Sequence, residues 1–175
     1  MIGHDHPPLQ RPHSLQPFSR DHFVGLRAAN RLRLAAQAGD SARLAAATYL
    51  YECWDAEICD HFQQEENLLI PLMLPEETQR LRREHDTIRD LVATGRSRRS
   101  DAPPAVQWCA ELGRHLHDHI RWEERVLFGS IQQRATPVQL AAVGRATAEI
   151  EKRRPGLRIR GPRQRMPEPQ KKEPI

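Results

Sequence analysis

Apolar positions along the chain recur every three to four residues in four long stretches and one shorter one. The first stretch opens at Ser19, a candidate N-cap, and runs to Gly39, a candidate C-cap. Asp40 or Ser41 can cap the second, which continues without Gly or Pro to Ile70, just ahead of Pro71. That is about 29 residues, or roughly 43 Å of helix. The third begins at Pro75, with Glu76 and Glu77 in its first turn, and Gly95 closes it. A polar loop, 95–104, leads to a fourth helix from Pro103 or Pro104 to about Arg134, with Gly113 and Gly129 as weak points. Thr136-Pro137 opens a short fifth helix that reaches about Lys152. No stretch alternates with period two over strand length. The pattern predicts an all-α fold: an antiparallel up-down four-helix bundle with a short fifth helix.

Composition agrees with this reading. Aromatics are only 5% of the 175 residues, and Ala and Leu dominate the apolar 38%, which favours packed helices over a β-sandwich. No apolar run exceeds five residues, so no membrane-spanning helix is expected. The opening MIGHDHPPLQRPHSLQ has no apolar core of the secretory type. Cys53, Cys59 and Cys109 are odd in number and form no C-x-x-C, so neither a disulfide framework nor a zinc knuckle is expected. A reducing, cytoplasmic setting follows. The formal charge is +4, but the segment from Lys152 onward carries +7, which leaves −3 for residues 1–151. The chain thus divides into an extended Pro-rich arm (1–17), a bundle (18–152) and a basic, disordered tail (153–175).

An internal repeat carries the chemistry. Asp60-His61-Phe62-Gln63-Gln64-Glu65-Glu66 returns as Asp118-His119-Ile120-Arg121-Trp122-Glu123-Glu124, 58 residues later. Arg20-Asp21-His22 returns as Arg83-Glu84-His85, 63 residues later. Each half of the bundle therefore supplies one lone His and one His-x-x-x-Glu. Residues four apart lie on one helix face, their Cβ atoms about 5–6 Å apart, so His61 pairs with Glu65 and His119 with Glu123. Leu69 and Leu127 follow a further four residues on, which places both polar pairs on the buried stripe. Buried ionisable groups are costly unless paired or bound to metal. A single buried His is ordinarily a core residue, but the duplicated set points to a pair of ions. Imidazole with carboxylate suits iron, zinc or manganese.

On these motifs the chain resembles the hemerythrin-like, or HHE cation-binding, family over about residues 18–132. The resemblance implies a four-helix bundle holding two non-haem irons joined by an oxo or hydroxo bridge, with zinc or manganese as substitutes. It implies that His22 and His61 serve one iron, His85 and His119 the other, and that Glu65 and Glu123 bridge them. Oxygen-carrying hemerythrins have a further His one turn before the lone His of helix three, where this chain has Leu81. They also place their last His and Asp five apart, whereas His119 and Glu123 are four apart. The set is closer to bacterial iron–sulfur-repair di-iron proteins and iron-sensing hemerythrin-like domains, although residues 1–18 hold no cysteine to match the repair proteins' extra domain.

His115 and Glu57 sit one turn before His119 and His61, at repeat-equivalent positions. Each is a candidate fifth ligand or an outer partner that orients an imidazole. Glu66 and Glu124 are expected to face solvent or to pair with Arg. Asp21 and Glu84 are expected to make salt bridges. The expected function is binding, sensing or handling of O2, NO, peroxide or iron, with weak oxidase or peroxidase chemistry as an open possibility. The alternative is a metal-stabilised regulatory bundle whose basic tail meets nucleic acid or an acidic partner.

Overall fold

The computed structural model describes residues 13–97 and 102–153. It consists of α1 (Gln16–Ala35), α2 (Asp40–Cys53), α3 (Cys59–Leu68), α4 (Pro75–Arg96), α5 (Val106–Trp122), α6 (Phe128–Arg134) and α7 (Pro137–Arg153). No strand occurs among the described residues, and no helix among them is long and apolar enough to cross a membrane. A π-helical turn, Trp54–Ile58, joins α2 to α3, and a second, Glu123–Leu127, joins α5 to α6. The predicted second and fourth helices are therefore each one rod with a π turn inside it. With α1 and α4 they make the four rods of the bundle, and short connections turn each rod back along the last. The fifth predicted helix, α7, packs against the start of α1 and the apolar cluster beside it.

Two apolar clusters fill the interior. One contains Ala28, Leu32, Leu50, Trp54, Phe62, Ile88, Trp108 and Leu116. The other contains Leu15, Phe18, Leu69, Leu81, Trp122, Leu127, Phe128, Ile131 and Val143. Val143 and Thr147 bury the inner face of α7, and Arg20 ties it to α1 by donating to Glu151 at 2.5 Å. The Trp108 indole N–H donates to the Leu91 carbonyl at 2.8 Å and locks α5 to α4. Gly113 allows α1 and α5 to approach closely, because a Cβ there would lie 2.8 Å from Arg33 Cγ and 2.9 Å from the Ala29 carbonyl oxygen.

Several boundaries differ from the pattern-based reading. The first helix starts at Gln16, not after a Ser19 cap: Leu15 is fully buried, and Pro17 occupies the first turn, where its fixed φ fits a helix start. Residues 13–17 therefore belong to a turn and the start of α1 rather than to an extended arm. Gly39 is the extended N-cap of α2 (φ −74°, ψ 175°) and not the end of α1. Gly95 lies within α4, where a side chain would collide with Trp108 and Tyr51. Thr136 caps as expected: the Gln139 N–H donates to its hydroxyl, and the Gln139 amide oxygen accepts from the Thr136 N–H at 2.9 Å. The remainder of the Pro-rich arm (1–12) and nearly all of the basic tail (154–175) lie outside the described residues.

Candidate metal centre

Between the two apolar clusters lies a polar layer. It holds His22 on α1, His61 and Glu65 on α3, His85 on α4, His119 on α5 and Glu123 at the head of the second π turn. All six are at most 4% exposed. Amphipathic periodicity explains their burial, since each shares a face with core residues such as Phe18, Phe62, Leu81 and Leu127. The Glu123 N–H still donates to the His119 carbonyl, so the His119–Glu123 pair keeps ordinary α spacing and the helix widens only beyond it.

The ligand atoms converge in two groups, His22–His61–Glu65–Glu123 and Glu65–His85–His119–Glu123, each within 4.8 Å of one another. Glu65 and Glu123 belong to both. His61 Nε2 lies 3.1 Å from Glu65 Oε1, and His22 Nε2 3.1 Å from Glu123 Oε2. In the second group, His85 Nε2 is 3.4 Å from Glu65 Oε2 and His119 Nε2 is 3.3 Å from Glu123 Oε2. The Nε2 atoms of His85 and His119 are 3.0 Å apart. The four carboxylate oxygens of Glu65 and Glu123 are fully buried without an aligned hydrogen bond, as is His22 Nε2. Buried polar atoms are rarely left so. Orphaned oxygens facing imidazole nitrogens are the donor set of a cation site, and no cysteine sulfur belongs to either group.

The electrostatics say the same. Burial pushes the His22 imidazole down, but Glu123, Glu124 and Glu65 outweigh burial and hold it well above its usual value. Burial opposes the His61 proton too, yet Glu65 and Asp21 raise its pKa to about 9. Burial alone would raise Glu65, but His61, His22 and His85 hold its carboxyl well below the usual range. Around the enclosed Glu65 carboxylate, His22, His61 and His85 are thus all shifted toward holding a proton.

An outer layer of carboxylates faces the far nitrogens. His22 Nδ1–H donates to Glu124 at 2.7 Å, His85 Nδ1–H to Glu66 at 2.7 Å and His119 Nδ1–H to Glu84 at 3.0 Å. Asp21 stands 3.6 Å from His61 Nδ1. Glu66 pairs with Arg89 as the sequence suggests, but Glu66 and Glu124 are not solvated side chains. Each reaches across to the other half of the repeat. The doubled acids themselves, Asp21/Glu84 and Glu66/Glu124, were the signal available for this layer in the sequence. His115 and Glu57 belong to neither converging group. His115 is half-buried, with Nε2 3.0 Å from an Arg114 guanidinium nitrogen. Glu57 lies inside the first π turn and lines a small cavity with Asp21, His22, Gly25 and His61.

Fold and site together define a helical bundle with a buried His/carboxylate cation centre. The family profile of the hemerythrin HHE cation-binding domain matches residues 15–131, and the chain belongs to that family. No curated protein and no solved structure matches the chain.

Proposed function

We propose that the chain is a non-haem di-iron protein that binds or senses a small ligand such as O2, NO or peroxide. His22 and His61 would hold one iron and His85 and His119 the other, with Glu65 and Glu123 shared between them. The observation that carries this reading is the sharing: the same two buried carboxylates complete both groups of converging ligand atoms. Two ions are needed to use all six side chains. Zinc or manganese could substitute, since neither asks for a different donor set. When bound, the irons supply open coordination positions and exchangeable electrons.

The chain supplies the rest. Glu66, Glu84 and Glu124 accept hydrogen bonds from the Nδ1–H of three histidines, so that with metal bound each Nε2 lone pair would face inward. The two apolar clusters keep bulk water away. A cavity of about 10 Å³ abuts His22 and His61, walled by Gly25, Ile58, Phe62, Leu116 and Ile120. That volume accepts about one water-sized molecule. That space is too small for an organic substrate. A reducing, cytoplasmic setting suits the three free cysteines, of which Cys59 is exposed. The test is anaerobic iron loading followed by NO titration, read by absorption and electron paramagnetic resonance. Two irons per chain and a saturable NO-dependent signal are expected. An iron-loaded protein blind to NO, O2 and peroxide contradicts the ligand assignment.

A further inference from the structure

Two arginines complete chains that end at the second group of ligands. Arg89 Nη2 donates to Glu66 Oε1 at 2.7 Å, and the same oxygen accepts from His85 Nδ1–H at 2.7 Å. Arg80 Nε donates to Glu84 Oε1 at 2.7 Å, and the other Glu84 oxygen accepts from His119 Nδ1–H at 3.0 Å. Both arginines lie against aromatic walls of the site. The Arg80 guanidinium sits 4.3 Å from the Trp122 ring centre. That of Arg89 lies 5.8 Å from the Phe62 ring, which stacks on His85 at 3.8 Å with the planes 6° apart. Each arginine is thus fixed at two points rather than free to sweep the surface. By the 63-residue offset of the repeat, the positions matching Arg80 and Arg89 are Pro17 and Leu26. Neither arginine is therefore repeated at its equivalent position.

A carboxylate on imidazole Nδ1–H pins the tautomer and strengthens the donation of Nε2 to a metal. A guanidinium on that carboxylate draws charge away from it and moderates the effect, while its fork geometry fixes the carboxylate plane. We propose that Arg89 and Arg80 are positioning residues that, through Glu66 and Glu84, orient His85 and His119 and set how strongly they donate to their shared ion. The inference rests on the di-metal reading above. The effect acts on the ion that His85 and His119 would share.

The test uses the full chain loaded with iron, and reads metal content and midpoint potential for Arg89→Met, Arg89→Lys and Glu66→Gln. Removing the guanidinium leaves Glu66 a stronger acceptor, so Arg89→Met should lower the potential. Removing the carboxylate charge weakens donation by His85, so Glu66→Gln should raise it. A tenfold change in relative affinity for the two oxidation states corresponds to 59 mV for one electron, and shifts of that order and opposite sign are expected. Arg89→Lys should restore most of the wild-type value. Shifts of the same sign, no shift with both ions retained, or loss of an ion from Arg89→Lys and Arg89→Met alike would show that the clamp merely holds the fold. If the wild-type chain takes up no metal pair, the di-metal reading fails instead.

Discussion

The His22/His61 half and the His85/His119 half of the site come from one sequence pattern, yet their walls differ. Gly25 lines a cavity beside the first pair, whereas Ile88, its repeat equivalent, is fully buried side chain. Phe62 stacks directly on His85 at 3.8 Å, whereas Phe128 lies parallel to His22 at 5.5 Å. In the second half, Glu66 and Glu84 stand 2.7 and 3.0 Å from the imidazoles, each held by an arginine, whereas in the first half Glu124 stands 2.7 Å from His22 and Asp21 3.6 Å from His61. On the proposed di-iron reading, the repeated ligands would set what the site binds, and the unrepeated neighbours which ion a small ligand reaches.

The strongest way to break both halves at once is through the residues they share. Glu65→Ala or Glu123→Ala should leave at most one iron per chain, measured by elemental analysis after loading. Next comes the stacking asymmetry. Phe62→Ala and Phe128→Ala each remove a fully buried ring and should cost about 3–5 kcal/mol in denaturant unfolding. Phe62→Ala should perturb the iron absorption spectrum more, because its ring lies closer to a candidate ligand, 3.8 Å from His85 against 5.5 Å between Phe128 and His22. Gly25→Ala sharpens the comparison without removing a ligand. The new methyl meets Ile120 Cδ1 at 2.6 Å and fills the cavity, so NO binding should slow about tenfold, the equivalent of about 1.4 kcal/mol, with both irons kept.

Proton linkage gives a fourth contrast. The His61 pKa is raised to about 9 in the metal-free fold, against about 6.5 in an unfolded chain. Its contribution to stability is fully present below about pH 6.5 and is lost as pH rises through about 9. The metal-free protein should therefore melt at lower temperature at pH 9.5 than at pH 6.5. The iron-loaded protein, whose imidazoles must be neutral, should gain over the metal-free form across the same window, with protons released on metal uptake. The smallest expected effect is that of His115→Ala. Because His115 lies in neither converging group, both irons and their absorption should be unchanged.

The helices and the six inward side chains were legible in the sequence because i, i+4 spacing is a short-range property of one helix, and duplication raised it above chance. The outer carboxylates were harder to read. That Glu66 meets His85 and Glu124 meets His22 depends on the register of one rod against another, which spacing along a rod does not encode. The π turns at Trp54–Ile58 and Glu123–Leu127 were also hidden, since one extra residue in a turn leaves the apolar period nearly intact over so short a span. Gly95 was read as a cap and Gly113 as a weak point, whereas both sit where another helix leaves no room for a side chain, as does Gly25, whose role the pattern did not mark. The start of α1 was displaced because a Pro-rich stretch suggests an extended arm, while burial of Leu15 and Phe18 draws Gln16 and Pro17 into the helix.

The central claim is that Glu65 and Glu123 are shared by two ions. Iron content per chain, determined on protein purified and loaded without oxygen and followed by its visible absorption on exposure to air, tests this directly. Two irons per chain, with a new absorption band that is lost in Glu65→Ala, are predicted. One iron or none per wild-type chain, with no band after loading, would contradict the account and make the buried His/Glu layer a proton-neutralised structural network.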